Sequence, residues 1–327
     1  MRKENKYLIY DNPKKFSIKH KLIEIICKLG TIHYQLKFLF LRKETNKDYE
    51  HEVAVCAIFK NEAMYIKEWI EFHMIIGVSH FYLYNNFSED NYKEVLKPYV
   101  DKGLVTLIEW PVKQGQIASY KDCIEKYSKD NHWIAFIDLD EYIIPNETDD
   151  ICTFLKKFEN RPVLLAYWRY FGSSGMKERD TSGLVTEDFV VSWRKYADIG
   201  KCIYNTNFGF DANDSRNHIL NHFMWGGIGS RKYPPVNVFG KVCLPGYNPI
   251  PKSADPSHFP LQINHYFTKS YNEYLEKKKR GDAFFKQNPR TFEYFHEHDC
   301  PCQSVDYHAY KYMVKLKLAM QSKDERK

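Results

Sequence analysis

Between His51 and Ile137 the chain alternates short apolar runs with helix-patterned stretches, and few folds accommodate that order. Val53-Ala-Val-Cys-Ala-Ile-Phe59 carries no polar side chain, as a strand covered on both faces requires. Asn61-Glu62 then opens a helical stretch in which Met64, Trp69, Phe72, His73 and Ile76 can share one buried side. His80–Tyr84, Leu104–Ile108 and Trp133–Ile137 are the next strands, and residues 116–127 a further helix. Ser88 is placed to cap a helix that ends near Pro98. Repeated alternation of this kind predicts an α/β fold, a mainly parallel, Rossmann-like sheet with helices on both faces. Ligands of such sheets bind beyond the carboxyl ends of the strands.

Outside that segment the pattern changes. Val163–Phe171 reads as a strand, residues 172–260 as short strands and long loops rich in Gly, Pro, Asn and Ser, and residues 270–281 as a helix stopped by Gly281. Residues 17–41 read as a basic amphipathic helix: Ile18, Leu22, Ile25, Ile26, Leu29, Ile32, Leu36, Leu39 and Phe40 follow three-and-four spacing, and Gly30 can split it in two. That stripe can pack on the protein's own body or lie in the plane of an anionic membrane surface. The expected organisation is therefore a helical segment over 1–50, an α/β half over 51–160, a looser α+β half over 161–312, and a basic tail over 313–327.

Charge supports this division and narrows the partners. The net charge is +6, yet residues 1–50 carry 12 basic against 6 acidic side chains, so the interior of the chain is slightly acidic. A nucleic-acid binder concentrates its basic residues on the folded domain, so no nucleic-acid partner is expected. Aromatic residues make up 16% of the chain, which excludes a disordered polypeptide. No run reaches the roughly 20 apolar residues of a membrane span and the first residues form no signal segment, so a cytoplasmic protein, peripheral on the inner face of the membrane at most, is expected.

The chemistry concentrates where the fourth strand ends, in Ile137-Asp-Leu-Asp-Glu-Tyr142. Strand residues two apart share a side, so Asp138 and Asp140 can approach one cation, Mn2+ or Mg2+, which typically takes one or two carboxylates plus substrate phosphates. No P-loop and no Gly-rich dinucleotide fingerprint is present, leaving a phosphate site built on a cation. His265 can supply a third metal ligand and Lys269 can neutralise a departing diphosphate. His296-x-His298-x-Cys300-x-Cys302 and His218-x-x-x-His222 read as polar segments; on a straight strand the four ligands of the first set cannot surround one tetrahedral ion.

Ala57-Ile-Phe-Lys-Asn-Glu62, Tyr84-Asn-Asn-Phe-Ser88, Gln116-x-x-x-Tyr120-x-x-Cys123, Phe136-Ile-Asp-Leu-Asp-Glu-Tyr142, Phe171-Gly-Ser-Ser-Gly175, Asn264-His-Tyr-Phe-Thr-Lys-Ser270 and Lys279-Arg-Gly281 together resemble glycosyltransferases of the GT-A fold, family 92 and its bacterial family-2-like relatives in particular. The resemblance covers roughly residues 51–312. It implies a metal-dependent, inverting glycosyltransferase that moves a sugar from a nucleotide-sugar donor, a UDP-sugar first, to a glycan or lipid-linked acceptor hydroxyl, in polysaccharide or lipopolysaccharide synthesis of the cell envelope. Asp138 and Asp140 would then hold the metal and diphosphate, Asn61, Asn85 and Asn86 would face the nucleoside, and Gln116 the donor. Asn85 departs from the Asp of most relatives. Glu187 and Asp188 are candidates for the base that deprotonates the acceptor, as are Asp180 and Glu141. The alternatives are a sugar nucleotidyltransferase, which wants a glycine-rich basic loop where Ala57–Glu62 has no glycine, and a non-catalytic carbohydrate- or membrane-binding protein, against which the intact acidic pair argues.

Overall fold

The computed structural model describes residues 6–9, 18–41, 48–281 and 288–321. Its principal sheet contains β1 (His51–Phe59), β2 (His80–Asn85), β3 (Val105–Glu109), β4 (Asn131–Phe136), β5 (Glu141–Pro145), β6 (Val163–Tyr170), β7 (Gly200–Asn205) and β8 (Leu261–His265). The spatial order is β3-β2-β1-β4-β7-β6-β8-β5, with the short strand Val236–Asn237 also on β6. From β3 to β4 every pairing is parallel; β7 then enters antiparallel between β4 and β6. The α/β, mainly parallel expectation holds for the first half, and the second half is mixed.

The longer helices are α1 (Ile18–Leu39), α2 (Ala63–Ile75), α3 (Tyr92–Val100), α4 (Gln116–Tyr127), α5 (Tyr271–Arg280), α6 (Phe292–Asp299) and α7 (Met313–Gln321). β1 and β2 are buried along nearly their whole length, which is why their apolar runs do not alternate. In α2 the buried side consists of Tyr65, Ile66, Trp69, Ile70, Phe72 and His73; Met64 is exposed instead. Asn91, not Ser88, stands at the start of α3, because the Ser88 hydroxyl is taken by the Asn61 N–H. Pro98 lies inside α3 and the helix runs on to Val100.

The larger surprise is β7. Gly200-Lys-Cys-Ile-Tyr-Asn205 falls in the stretch read only as short strands and long loops, yet all six residues are buried at the centre of the sheet. Gly200 is required there, since a Cβ would sit 1.7 Å from the Ala166 carbonyl oxygen. α1 is continuous through Gly30, where a Cβ would lie 2.9 Å from Leu244 Cδ1. At the other end Met313–Gln321 form α7, which buries Met313 and Leu316, and the Lys67 ammonium of α2 donates to the Met320 carbonyl at 2.8 Å. Among the described residues no helix is long and apolar enough to cross a membrane.

Candidate active site

β4 ends at Phe136, and residues 137–140 form a turn before β5 begins at Glu141. The two aspartates therefore do not share a strand face, and they point to different partners. Asp138 accepts hydrogen bonds from Gln116 Nε2 (2.8 Å) and Tyr120 OH (3.1 Å) on one oxygen and from Lys201 Nζ (2.7 Å) on the other. Asp140 pairs with Lys277 Nζ and lies 3.6 Å from His265 Nε2.

Strand pairing brings the third carboxylate in. β8 runs antiparallel to β5 with His265 opposite Glu141, and the His265 Nδ1 to Glu141 Oε1 distance is 4.0 Å. Asp140, Glu141 and His265 are buried and offer ligand atoms within 4.8 Å of one another. Glu141 Oε1 and His265 Nδ1 have no hydrogen-bond partner although fully covered. Two carboxylates, an imidazole and orphaned ligand atoms at one point fit a divalent cation. This set keeps Asp140 and His265 from the expected ligands and places Glu141 where Asp138 was expected.

The electrostatics are uneven. Burial works against the Asp140 carboxylate, but Lys277 and His265 outweigh it and hold its pKa well below the usual range. Burial raises the Glu141 pKa well above its usual range, despite Lys201. Lys201 is completely buried, and its charge is retained by Asp138 and Glu141. Burial and the nearby cations Arg290, Lys269 and Arg280 bring Lys277 down to about 8, against the pull of Asp140.

Asp138, Asp140, His265 and Lys277 line a groove of about 840 Å³ at the carboxyl ends of β1 and β4, and Glu141 and Lys201 lie buried behind that lining. One wall is basic, with Lys60, Lys113, Lys277, Arg280 and Arg290; another is aromatic, with Trp168, Tyr170, Phe267 and Tyr294. Arg280 pairs with Glu62 and donates to the carbonyls of Lys60 and Asn61 (3.2 and 3.1 Å), which fixes the loop after β1. The Trp168 and His265 ring centres are 4.7 Å apart.

The remaining expected site residues divide. Gln116, Asn86 and Asp138 line the groove; the Asn86 amide donates to the carbonyls of Trp110 and Val112 (2.8 and 2.9 Å). Asn85 lies behind the groove lining, its amide donating to Tyr92 OH and Glu109 and its oxygen accepting from the Ser88 N–H. Asn61 and Lys269 line a neighbouring cavity of about 410 Å³ that shares Lys277 and Arg280 with the groove. The Lys269 ammonium sits 4.0 Å from the Tyr65 ring centre. Glu187 and Asp188 line neither cavity: Glu187 pairs with Lys317 on α7 at 2.5 Å and Asp188 with Arg179 at 3.2 Å. Asp180 is exposed and bonds the Ser182 N–H.

His296 and His298 lie on helix α6, not on a strand, and the His298 ring stacks on Phe267 at 4.6 Å. His222 lines the groove without His218; its Nδ1 is 2.8 Å from the Gly200 carbonyl, and burial, with Lys201 adding, lowers its pKa to about 3. Lys201, His222, Lys277 and Trp168 were not among the expected site residues. For Lys277 a signal exists: it and Arg280 are three apart in α5 and share a side, within a run of four basic residues.

Comparison with known proteins gives the same region a lineage. Residues 49–237, more than half of the chain, match the profile of glycosyltransferase family 92. A glycosyltransferase family 92 protein of Oryza sativa subsp. japonica is 29% identical over 140 residues, covering 42% of this chain and 24% of that one. A beta-1,4-galactosyltransferase of Caenorhabditis elegans, galt-1, is 30% identical over 115 residues, covering 31% and 27%. The chain thus spans about a quarter of the length of the curated relatives it matches. Among solved structures, S. aureus TarS 1-349 aligns with 56% of this chain and 60% of its own at 11% identity and a TM-score of 0.34.

Proposed function

Since the chain belongs to glycosyltransferase family 92, we propose that its groove transfers a sugar from a nucleotide-sugar donor to an acceptor hydroxyl. The observation that carries this reading is the meeting of the buried Asp140–Glu141–His265 set with the basic wall of Lys60, Lys277 and Arg280. A diphosphate is served by both: basic side chains for its charge, and carboxylates that would hold a divalent cation beside it. Asp140, Glu141 and His265 would hold that cation, Mn2+ or Mg2+, whose contribution is to neutralise charge on the leaving diphosphate.

The chain's own residues do the rest. Lys277 and Arg280 face the diphosphate, and Gln116 and Asn86 flank the donor. Asp138, tied down by Gln116, Tyr120 and Lys201, positions the acidic turn. Trp168, Tyr170 and Phe267 offer ring faces to the sugars. In the displacement the acceptor oxygen bonds to the anomeric carbon while the carbon–oxygen bond to the diphosphate breaks. The bonding pair leaves with the nucleoside diphosphate, and the acceptor proton passes to a base or to solvent. A single displacement inverts the anomeric centre. The acceptor is read as a glycan or lipid-linked hydroxyl, at the inner face of a cell envelope.

The test is donor turnover by the full chain over a panel of nucleotide sugars, UDP-sugars first, with and without Mn2+. Release of nucleoside diphosphate that depends on the sugar offered, and on Asp140, supports the reading. Failure to bind or cleave any donor would leave a binding protein on a transferase scaffold.

A further inference from the structure

Helix α1 has two opposed apolar faces, and the body of the protein uses only one. Cys27, Gly30, Thr31, Tyr34 and Phe38 recur at three- and four-residue spacing and turn inward. A Cβ on Gly30 would lie 2.9 Å from Leu244 Cδ1. The Tyr34 ring meets Trp225 edge-on with centres 5.7 Å apart, and Phe38 lies 5.5 Å from Tyr233 with the Arg161 guanidinium 4.8 Å away. At 3.6 residues per turn, Leu22, Ile26, Leu29, Ile32 and Leu36 fall on the opposite side, and each is more than half exposed. The expectation that this stripe packs on the protein's own body is thus not met, because a second face does that packing.

The borders of the stripe identify its occupant. Lys21 and Lys28 run along one edge and Lys37 along the other, all exposed. The only acid in α1, Glu24, is already paired with Lys28 at 2.8 Å. A contiguous apolar surface of this size is unusual on a soluble protein unless something covers it. A second copy of α1 would bring lysine-edged faces together with no carboxylate left to answer them. A leaflet of anionic lipid answers both features, since its acyl region takes the stripe and its headgroups take the ammonium groups on either side.

We propose that the outer face of α1 lies in the headgroup plane of an anionic lipid bilayer and holds the protein there reversibly. The apolar residues supply the part of the binding that salt does not remove, and Lys21, Lys28 and Lys37 the part that it does. This placement does not depend on what the groove transfers.

The experiment is co-sedimentation of the full chain with vesicles of phosphatidylcholine alone and of phosphatidylcholine with phosphatidylglycerol, at low and high salt. The parent should sediment with the mixed vesicles and far less with the neutral ones. Combining Ile26→Ser, Leu29→Ser and Leu36→Ser should lower partitioning by about tenfold or more while leaving the melting temperature unchanged, because the positions face solvent. Lys21→Gln, Lys28→Gln and Lys37→Gln together should weaken binding and flatten its salt dependence. A parent that stays in solution with anionic vesicles, or a serine variant that sediments like it, overturns the proposal. So does a parent that ignores vesicles and dimerises until the serine substitutions make it a monomer.

Discussion

Lys277 donates its ammonium to Asp140, a carboxylate that a divalent cation would also use. A cation held by Asp140, Glu141 and His265 would compete with Lys277 for that carboxylate, and a lysine released from it would face the groove. Mutation of either partner tests a different half of that exchange.

Asp140→Asn removes the charge and keeps the shape. We expect turnover to fall by at least about a hundredfold. Stability should fall too, by about 3 kcal/mol, because Lys277 is left without its buried counter-charge. Denaturant melts and donor turnover, measured on the same preparation, check the pair of effects. A variant as active as the parent without metal would remove Asp140 from the site.

The two lysines near the donor are distinguishable. Lys277→Ala should lower donor kcat/KM by about 10- to 100-fold, whereas Lys269→Ala, which loses a ring contact with Tyr65, should cost less than that. Steady-state kinetics with varied donor decide it, and the reverse order would show that the neighbouring cavity is the phosphate side.

Lys201 is the buried counter-charge beneath Asp138 and Glu141. Lys201→Met should destabilise the fold by about 3–5 kcal/mol, the typical result of stripping one partner from a buried ion pair. Adding Glu141→Gln should recover part of that loss, because the second buried carboxyl no longer needs an answer. A double-variant cycle in urea reads the coupling, and strictly additive losses would mean that Glu141 and Lys201 act independently.

His73 contributes to the loss of stability in acid. Its ring is fully buried, with Nδ1 2.8 Å from the Trp69 carbonyl and Nε2 accepting from the Ile143 N–H at 3.3 Å, so α2 and β5 are joined through the neutral form. Burial lowers its pKa to about 3 despite the Trp69 contact. A depressed folded-state pKa means that the stabilisation is complete above about 6.5, the unfolded value, and is lost as pH falls toward about 3. Over that window the loss is on the order of 5 kcal/mol, of which the fall to pH 4.5 accounts for about half. Unfolding midpoints at pH 7 and pH 4.5 should differ accordingly, and His73→Gln should flatten the slope.

What was legible in the sequence follows from which interactions are local. β1 and β2 are marked by continuous apolar runs and α4 by its helical spacing, and the acidic turn follows an apolar strand. Asp140 and His265 were readable because the turn and β8 carry recognisable motifs. Lys201 was not, because its role is set by the pairing of β7 with β4, between segments far apart in the chain. The i+2 argument for Asp138 and Asp140 lapsed for a local reason, namely that β4 ends two residues before Asp138. Glu187 and Asp188 looked well placed beside the Gly175 loop, but α7 and Arg179 claim them.

The antiparallel insertion of β7 also bears on how the polypeptide is born. Translation delivers the acidic turn some sixty residues before Lys201, so the ribosome-bound chain carries Asp138 and Glu141 with no ammonium beneath them. Burying those carboxyls unanswered costs several kcal/mol, which keeps the nascent turn hydrated and the carboxyl edge of β4 open. Asp140 waits longer still, since its partners His265 and Lys277 lie on β8 and α5, so the site can take its final form only after those segments have been made.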